Sequence, residues 1–317
     1  EVLALEQIRR DLPRLTLCGA GAEGPLAQLE ELVHDARLQA LMERVLLIWS
    51  VRQPAAGYVQ GHHDILLPFL LVALADRAGV GLAEGHLGPG VLDKLPSGAL
   101  DEAEADCFWC LTKVLGEVAD YYTEGQPGLQ RAAVLLRSVL ANTHGELLAS
   151  IESEGVDVAV LVVRWLGCLM VRELPLHLCV RLWDTCLAEL ALSGGDGFGS
   201  LLVHFCAGFL ASHAVELQGA PFDELMAFVQ QPPTEELDER DLEALISRAY
   251  VWRTAPRRSS QSRARCPYAP SSSHTTYASP VSTPPGSSQA SEAGDSEEQD
   301  REESLPDLNP FGGFLMV

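Results

Sequence analysis

Apolar residues recur at Val2, Leu5, Ile8 and Leu12, close to the 3.6-residue period of a helix. Pro13 denies the α region to Leu12, so this helix is predicted to end there and to leave Arg14 on its exit. Residues 19–25 are rich in Gly and Ala and read as a loop. Helical spacing returns over 26–33 and 38–52. The second of these carries Leu41, Val45, Ile48 and Trp49 on one stripe, and Pro54 prevents its continuation. Residues 60–77 form the next predicted helix, with a kink at Pro68, and Gly79 to Gly98 is a loop-rich spacer. Residues 100–121 bury one face through Ala103, Cys107, Cys110, Leu111, Val114 and Val118. Further helices are predicted over about 129–150, 156–171, 175–190, 199–216, 221–230 and 235–252. No stretch sustains period-two alternation between hairpin turns, and no repeat of fixed period occurs. The expected fold class is therefore all-α, a multi-helix domain over residues 1–252 and not a solenoid.

The pattern changes after Arg253. Residues 254–291 are dominated by Ser, Pro and Thr, and 292–303 are acidic. Such a stretch buries too little apolar surface to offset the entropy of ordering, so residues 253–317 are expected to form a disordered tail. Its end, from Asn309-Pro310-Phe311 to Val317, turns apolar again.

Charge narrows the function classes. The chain holds 22 basic and 44 acidic residues, and residues 1–252 alone hold 16 against 36. A surface of that sign repels phosphate backbones and anionic lipid, which argues against nucleic-acid and direct membrane binding. The apolar run from Ile65 to Ala75 is about half the roughly 20 residues that span a bilayer, so no transmembrane segment is expected. Eight cysteines are scattered, mostly in apolar runs, as buried thiols in a reducing compartment would be.

Several groups invite chemistry. Arg14 lies three residues after Asp11, either as a solvated pair or as a guanidinium delivered to an anion and steadied by a carboxylate. Gln60 sits between Gly57-Tyr58 and Gly61; it reads as a cap, or as an amide in a stretch where glycines let a partner approach closely and Tyr58 offers an amphipathic ring. His62-His63-Asp64 suggests metal or acid–base work, but neighbouring helix residues diverge by about 100° and do not readily chelate one ion. Cys107-Phe108-Trp109-Cys110 has the spacing of a redox or zinc pair without a second pair, and reads as helix core. Arg164, Glu173, Arg181 and Asp184 lie in apolar helices and are expected to pair among themselves. Asn309-Pro310-Phe311 matches a tripeptide bound by some endocytic adaptor modules.

Together these pieces resemble a known family. Ile8-Arg9-Arg10-Asp11-Leu12-Pro13-Arg14 resembles the I-x-x-D-x-x-R motif of TBC-domain Rab GTPase-activating proteins, Tyr58-Val59-Gln60 their Y-x-Q motif, and Arg181-Leu182-Trp183-Asp184 their third signature. The three stand in the family's order. The stretches 50–61, 105–110 and 170–176 are similar to one branch in particular, that of TBC domain family member 22.

The resemblance implies an arginine finger at Arg14 and a glutamine finger at Gln60, both placed in the active site of a GTP-bound Rab, with GTP and Mg²⁺ belonging to the Rab and no cofactor in this chain. Asp11 would orient Arg14, Tyr58 would touch the Rab, and Gly61 and the Arg181/Trp183/Asp184 motif would support the site. It further implies a role in vesicle trafficking and a cytoplasmic protein, peripheral on Golgi or endosomal membranes through partners. The family usually has Asn where His63 stands and often Thr where Leu15 stands, and its members carry further domain sequence before the arginine motif, so the first helices are expected to be missing here. The alternatives are a Rab-binding scaffold with weak or no catalysis, and a small-molecule enzyme using His62, His63 and Asp64.

Overall fold

The structure is a computed structural model, and it describes residues 2–17, 25–82, 87–193 and 197–255. The proposed tail, its Asn309-Pro310-Phe311 segment, Cys18 and Cys266 lie outside the described residues. Among those described there is no strand. In chain order the α-helices are α1 (Val2–Asp11), α2 (Pro25–Val33), α3 (Ala36–Arg52), α4 (His62–Ala78), α5 (Ala99–Glu117), α6 (Pro127–Thr143), α7 (Gly145–Ser153), α8 (Val158–Gly167), α9 (Leu176–Ser193), α10 (Gly197–Ser212), α11 (Ala214–Leu217), α12 (Phe222–Gln230) and α13 (Glu239–Thr254). Short 3₁₀ turns follow α1 (Leu12–Arg14), precede α5 (Pro89–Lys94) and follow it (Ala119–Tyr121).

Local chemistry accounts for many of these boundaries. Asp35, Asp157 and Asp238 each accept a backbone N–H at a helix start, Asp238 within a capping box with Asp241. Pro13 turns the end of α1 into a 3₁₀ turn that carries Arg14. The expected helix over 60–77 starts at His62, because Gly61 takes φ +107°, and it runs through Pro68 without a break. The stretches expected as single helices over 129–150 and 199–216 are each divided, at His144 and His213.

Two helices are buried nearly all round and act as hubs. α4 is covered from His62 through Pro68 and again at Leu70, Leu71 and Ala73 to Ala75, packing mainly on α5 and α3. α10 is covered along almost its whole length and packs on α13, α9 and α6. A helix apolar on every side is the expected occupant of a core. Around α10, Trp165 of α8 lies with its ring centroid 5.8 Å from Phe209 and 6.4 Å from Phe228, and its indole N–H donates to Val229 O at 3.1 Å.

The surroundings of the hubs meet along a seam. Phe69 of α4 contacts Trp183 of α9, centroids 5.3 Å apart, and His62 meets Tyr122 at 4.6 Å. The Tyr122 hydroxyl donates to Gly167 O at 3.2 Å. The turn after α8 is strained: Leu169 and Met170, both fully buried, take φ of 52° and 66°. Left-handed non-glycine residues cost on the order of 1–3 kcal/mol each. The Trp183 indole N–H holds this turn by donating to Leu169 O at 2.9 Å, and Met170 N–H donates to Trp165 O at 2.7 Å.

Two predictions follow from this packing. Trp165→Ala should cost about 3–5 kcal/mol, read as a lower urea midpoint. A midpoint within error of wild type would show that the α8–α10–α12 cluster is not where stability resides. A Cβ on Gly61 would lie 2.8 Å from Cys168 Sγ, whereas one on Gly57 (φ +63°) meets open space. Gly61→Ala should therefore lower the midpoint clearly more than Gly57→Ala, whose cost is about 1–2 kcal/mol of backbone strain alone; equal losses would mean the close approach at Cys168 carries no weight.

Candidate functional site

The carboxylate of Asp11, at the last turn of α1, is buried. Gln7, one turn earlier, donates its side-chain amide to both carboxylate oxygens at 3.2 and 3.1 Å. The Tyr58 hydroxyl reaches across from the α3–α4 loop and donates to Asp11 Oδ2 at 3.1 Å, and its oxygen lies 2.9 Å from Nδ1 of His63. Burial raises the Tyr58 pKa first, and the charge of Asp11 adds to it, so the phenol stays protonated.

This joint sets two more residues on the surface. Arg14, three residues beyond Asp11, is exposed, and among the described residues its guanidinium makes no hydrogen bond or ion pair. Gln60, two residues beyond Tyr58, is partly exposed in the turn that precedes α4, and its side chain likewise has no partner among the described residues. The structure thus joins Asp11 and Tyr58 directly, while Arg14 and Gln60 flank the joint without touching it. Leu15, by contrast, is buried in the core, where a methyl-rich side chain suits the site.

The two histidines diverge. His62 is enclosed, with its ring edge-on to Trp49 (5.0 Å), Tyr122 (4.6 Å) and Tyr58 (5.9 Å), and its Nδ1 accepts Val59 N–H at 3.3 Å. Burial pushes its pKa down to about 3, with His63 adding to the shift, so it is a neutral aromatic filler at physiological pH. His63 faces Tyr58 on one side and Asp64 on the other, its Nε2 3.5 Å from Asp64 Oδ2. Burial lowers its pKa, against the opposing charges of Asp64 and Asp11. The imidazoles serve different neighbours and do not converge on one substrate.

Asp64 carries the line onward. Arg172, in the turn after α8, places Nε 3.2 Å from Asp64 Oδ2, an ion pair without hydrogen-bond alignment. Beside it Glu173 is buried, and that burial pushes its pKa up to about 8, opposed by the charges of Arg164 and Arg172. A polar line therefore runs from α1 through Tyr58, His63 and Asp64 to Arg172. Gly61 lies over Cys168 next to it, where any side chain would collide.

The third motif behaves differently from expectation. Arg164 and Glu173 do interact electrostatically, but Arg164 hydrogen-bonds the carbonyls of Val229 and Gln230. Arg181 turns outward to Glu243 of α13 at 2.6 Å and to Thr185, not to Asp184. Its half-exposed guanidinium is not deep enough to demand an internal partner, which corrects the expected pairing. Trp183 reaches the seam through Leu169, and Asp184 stays exposed beside a groove of about 490 Å³ between α4, α5 and α9. Cys107 and Cys110 line the same groove; Cys107 is buried and Cys110 is exposed, so only the first belongs to the core. Sequence reasoning did not single out Arg172 or Cys168. The only signal was the charged pair Arg172-Glu173 inside an apolar run.

Among the described residues no helix is long and apolar enough to cross a membrane. The comparisons with known proteins agree with one another. The family model of the Rab-GTPase-TBC domain matches residues 3–218. The chain is 36% identical over 225 residues to the GTPase-activating protein gyp1 of Schizosaccharomyces pombe, covering 70% of this chain and 42% of that protein. It is 32% identical over 245 residues to human TBC1 domain family member 22A, covering 77% of this chain and 43% of that protein. The chain thus spans less than half the length of these curated relatives. Among solved structures, the Ypt/Rab-GAP domain of Gyp1p superposes with a TM-score of 0.68 at 30% identity, covering 80% of this chain and 73% of that one. On the extent of the family match, and on an all-α fold shared with a Rab-GAP domain, the chain belongs to the Rab-GTPase-TBC domain family.

Proposed function

We propose that this domain accelerates GTP hydrolysis by a Rab-family GTPase, contributing Arg14 and Gln60 in trans, and so acts in vesicle trafficking. The observation that carries this reading is the Tyr58–Asp11 hydrogen bond, which ties the segment bearing Arg14 to the turn bearing Gln60. Among the described residues both side chains have no partner, and they lie exposed (Arg14) and partly exposed (Gln60) on either side of that tie.

Phosphoryl transfer asks for little covalent chemistry from protein groups, so catalysis is positioning and charge stabilisation. The Arg14 guanidinium would neutralise charge developing on the β–γ bridging and γ-phosphate oxygens. The Gln60 amide would both accept from and donate to the attacking water and its surroundings, orienting it for in-line attack. The nucleotide and Mg²⁺ would be the Rab's own. An arginine supplied in trans is worth roughly 10³–10⁵ in rate, or about 4–7 kcal/mol of barrier.

The test is single-turnover hydrolysis across a panel of GTP-loaded Rabs. Arg14→Ala should remove roughly 10³–10⁵ of the acceleration, and Arg14→Lys should recover little, because a point ammonium does not reproduce the planar fork. Gln60→Ala should also abolish most of the acceleration while leaving Rab binding intact. Binding of Rabs without acceleration by the wild-type chain would favour a scaffold instead.

A further inference from the structure

We propose that His63 is a positioning residue for the two fingers, donating from Nδ1 to the Tyr58 hydroxyl oxygen and so directing the Tyr58 O–H toward Asp11. The inference rests on the finger reading above for its catalytic consequence, but its structural part stands on hydrogen-bond accounting alone.

A phenol has a single proton. Asp11 as a carboxylate is acceptor-only, and both its oxygens already receive the Gln7 amide. The contact of Tyr58 Oη with Asp11 Oδ2 at 3.1 Å is attractive only if the phenol donates to it. The phenol oxygen is then left as an acceptor, and the 2.9 Å contact with His63 Nδ1 is attractive only if that nitrogen carries a proton. A competing arrangement exists. Gly61 N–H points at the same Nδ1, but at 3.4 Å, and that arrangement would set the phenol oxygen against Asp11 without a proton between them. The proposed set is the shorter one, 2.9 and 3.1 Å against 3.4 Å, and its cost is that the Gly61 N–H loses Nδ1 as an acceptor. In the neutral ring Nδ1 carries the only proton and the bare Nε2 faces Asp64 Oδ2 at 3.5 Å, a contact with no aligned hydrogen bond to lose; in the imidazolium Nε2 gains a proton facing that oxygen. Nδ1 is therefore a donor in either charge state.

The consequence is directional. With Nδ1–H in place, the line Asp11, Tyr58, His63 has one polarity, and the α1 exit is bound to the turn before α4. Without it the phenol can rotate away from Asp11, and the segments bearing Arg14 and Gln60 lose their shared tie. A displacement of about 1 Å in a positioning group can cost on the order of 100-fold in rate.

Two measurements test this. The first needs no GTPase: imidazole nitrogen NMR on the free chain reads the tautomer directly. An Nδ1–H shift for His63 is expected, and an Nε2–H tautomer with bare Nδ1 would overturn the proposal. The second uses variants whose amides mimic one ring nitrogen each. Asn places an N–H near the position of Nδ1, and Gln near that of Nε2. On the Rab that the wild type accelerates most, His63→Ala should lower the rate at saturating domain by roughly 10- to 100-fold with little change in half-saturation. His63→Asn should restore most of that loss and His63→Gln should not. Equal recovery by both amides, or no loss in any variant, would sink the idea. If the variants do not fold, the wild-type tautomer decides. If the wild type accelerates no Rab, the finger reading fails while the tautomer still tests this one.

Discussion

A buried carboxylate that accepts a phenol proton is the contact on which the site depends. Asp11 lies at the end of a short helix, and Tyr58 lies in a loop between two long ones, separated by the whole of α2 and α3. Helix packing brings α1 against α3, yet packing alone is tolerant of small slides. A hydrogen bond to an ionised acceptor is stronger than a neutral one, and this one, at 3.1 Å, links two segments far apart in the chain. It converts an approximate juxtaposition into a defined one, and the burial of Asp11 limits competition from water for its carboxylate.

The same economy appears on the other side of the seam. The turn after α8 adopts a left-handed path at two bulky apolar residues, a conformation that glycine would ordinarily supply. Its strain is tolerated because Leu169 and Met170 are entirely buried and because Trp183 captures a carbonyl there. This path sets Arg172 against Asp64 and Cys168 beneath Gly61. The third signature therefore acts as a brace for the seam, and its own charged residues face elsewhere.

Much of this was legible in the chain. Periodicity located the helices because amphipathic and all-apolar stripes reflect burial directly, and prolines and glycines marked most of the ends. The motifs located Asp11, Arg14, Tyr58 and Gln60. The divisions at His144 and His213 left no periodic mark, since both sides of each remain helical. The outward turn of Arg181 was hidden because an apolar neighbourhood in sequence does not fix which face of a helix is buried. His63 looked like a departure from pattern. Its place in the polar line depends on Tyr58 Oη and Asp64 at once, a three-body relation that spacing does not encode.

Arg14 stands apart from most cations of this domain. Arg9, Arg37, Arg44, Arg77, Arg137 and Arg181 are each engaged by a carboxylate. The domain is otherwise acidic, with 36 acidic against 16 basic residues over 1–252. On the proposed reading, a phosphate approaching Arg14 would cross the field of a strongly acidic domain before reaching that guanidinium. Mobile ions screen that field over a Debye length of about 10 Å at 0.1 M, whereas a guanidinium in contact with its target at hydrogen-bond range is screened far less. Ionic strength would therefore act unequally on approach and on contact: salt would relieve the long-range opposition first, and a domain of this charge would rely on shape more than on attraction to meet the anionic site proposed above.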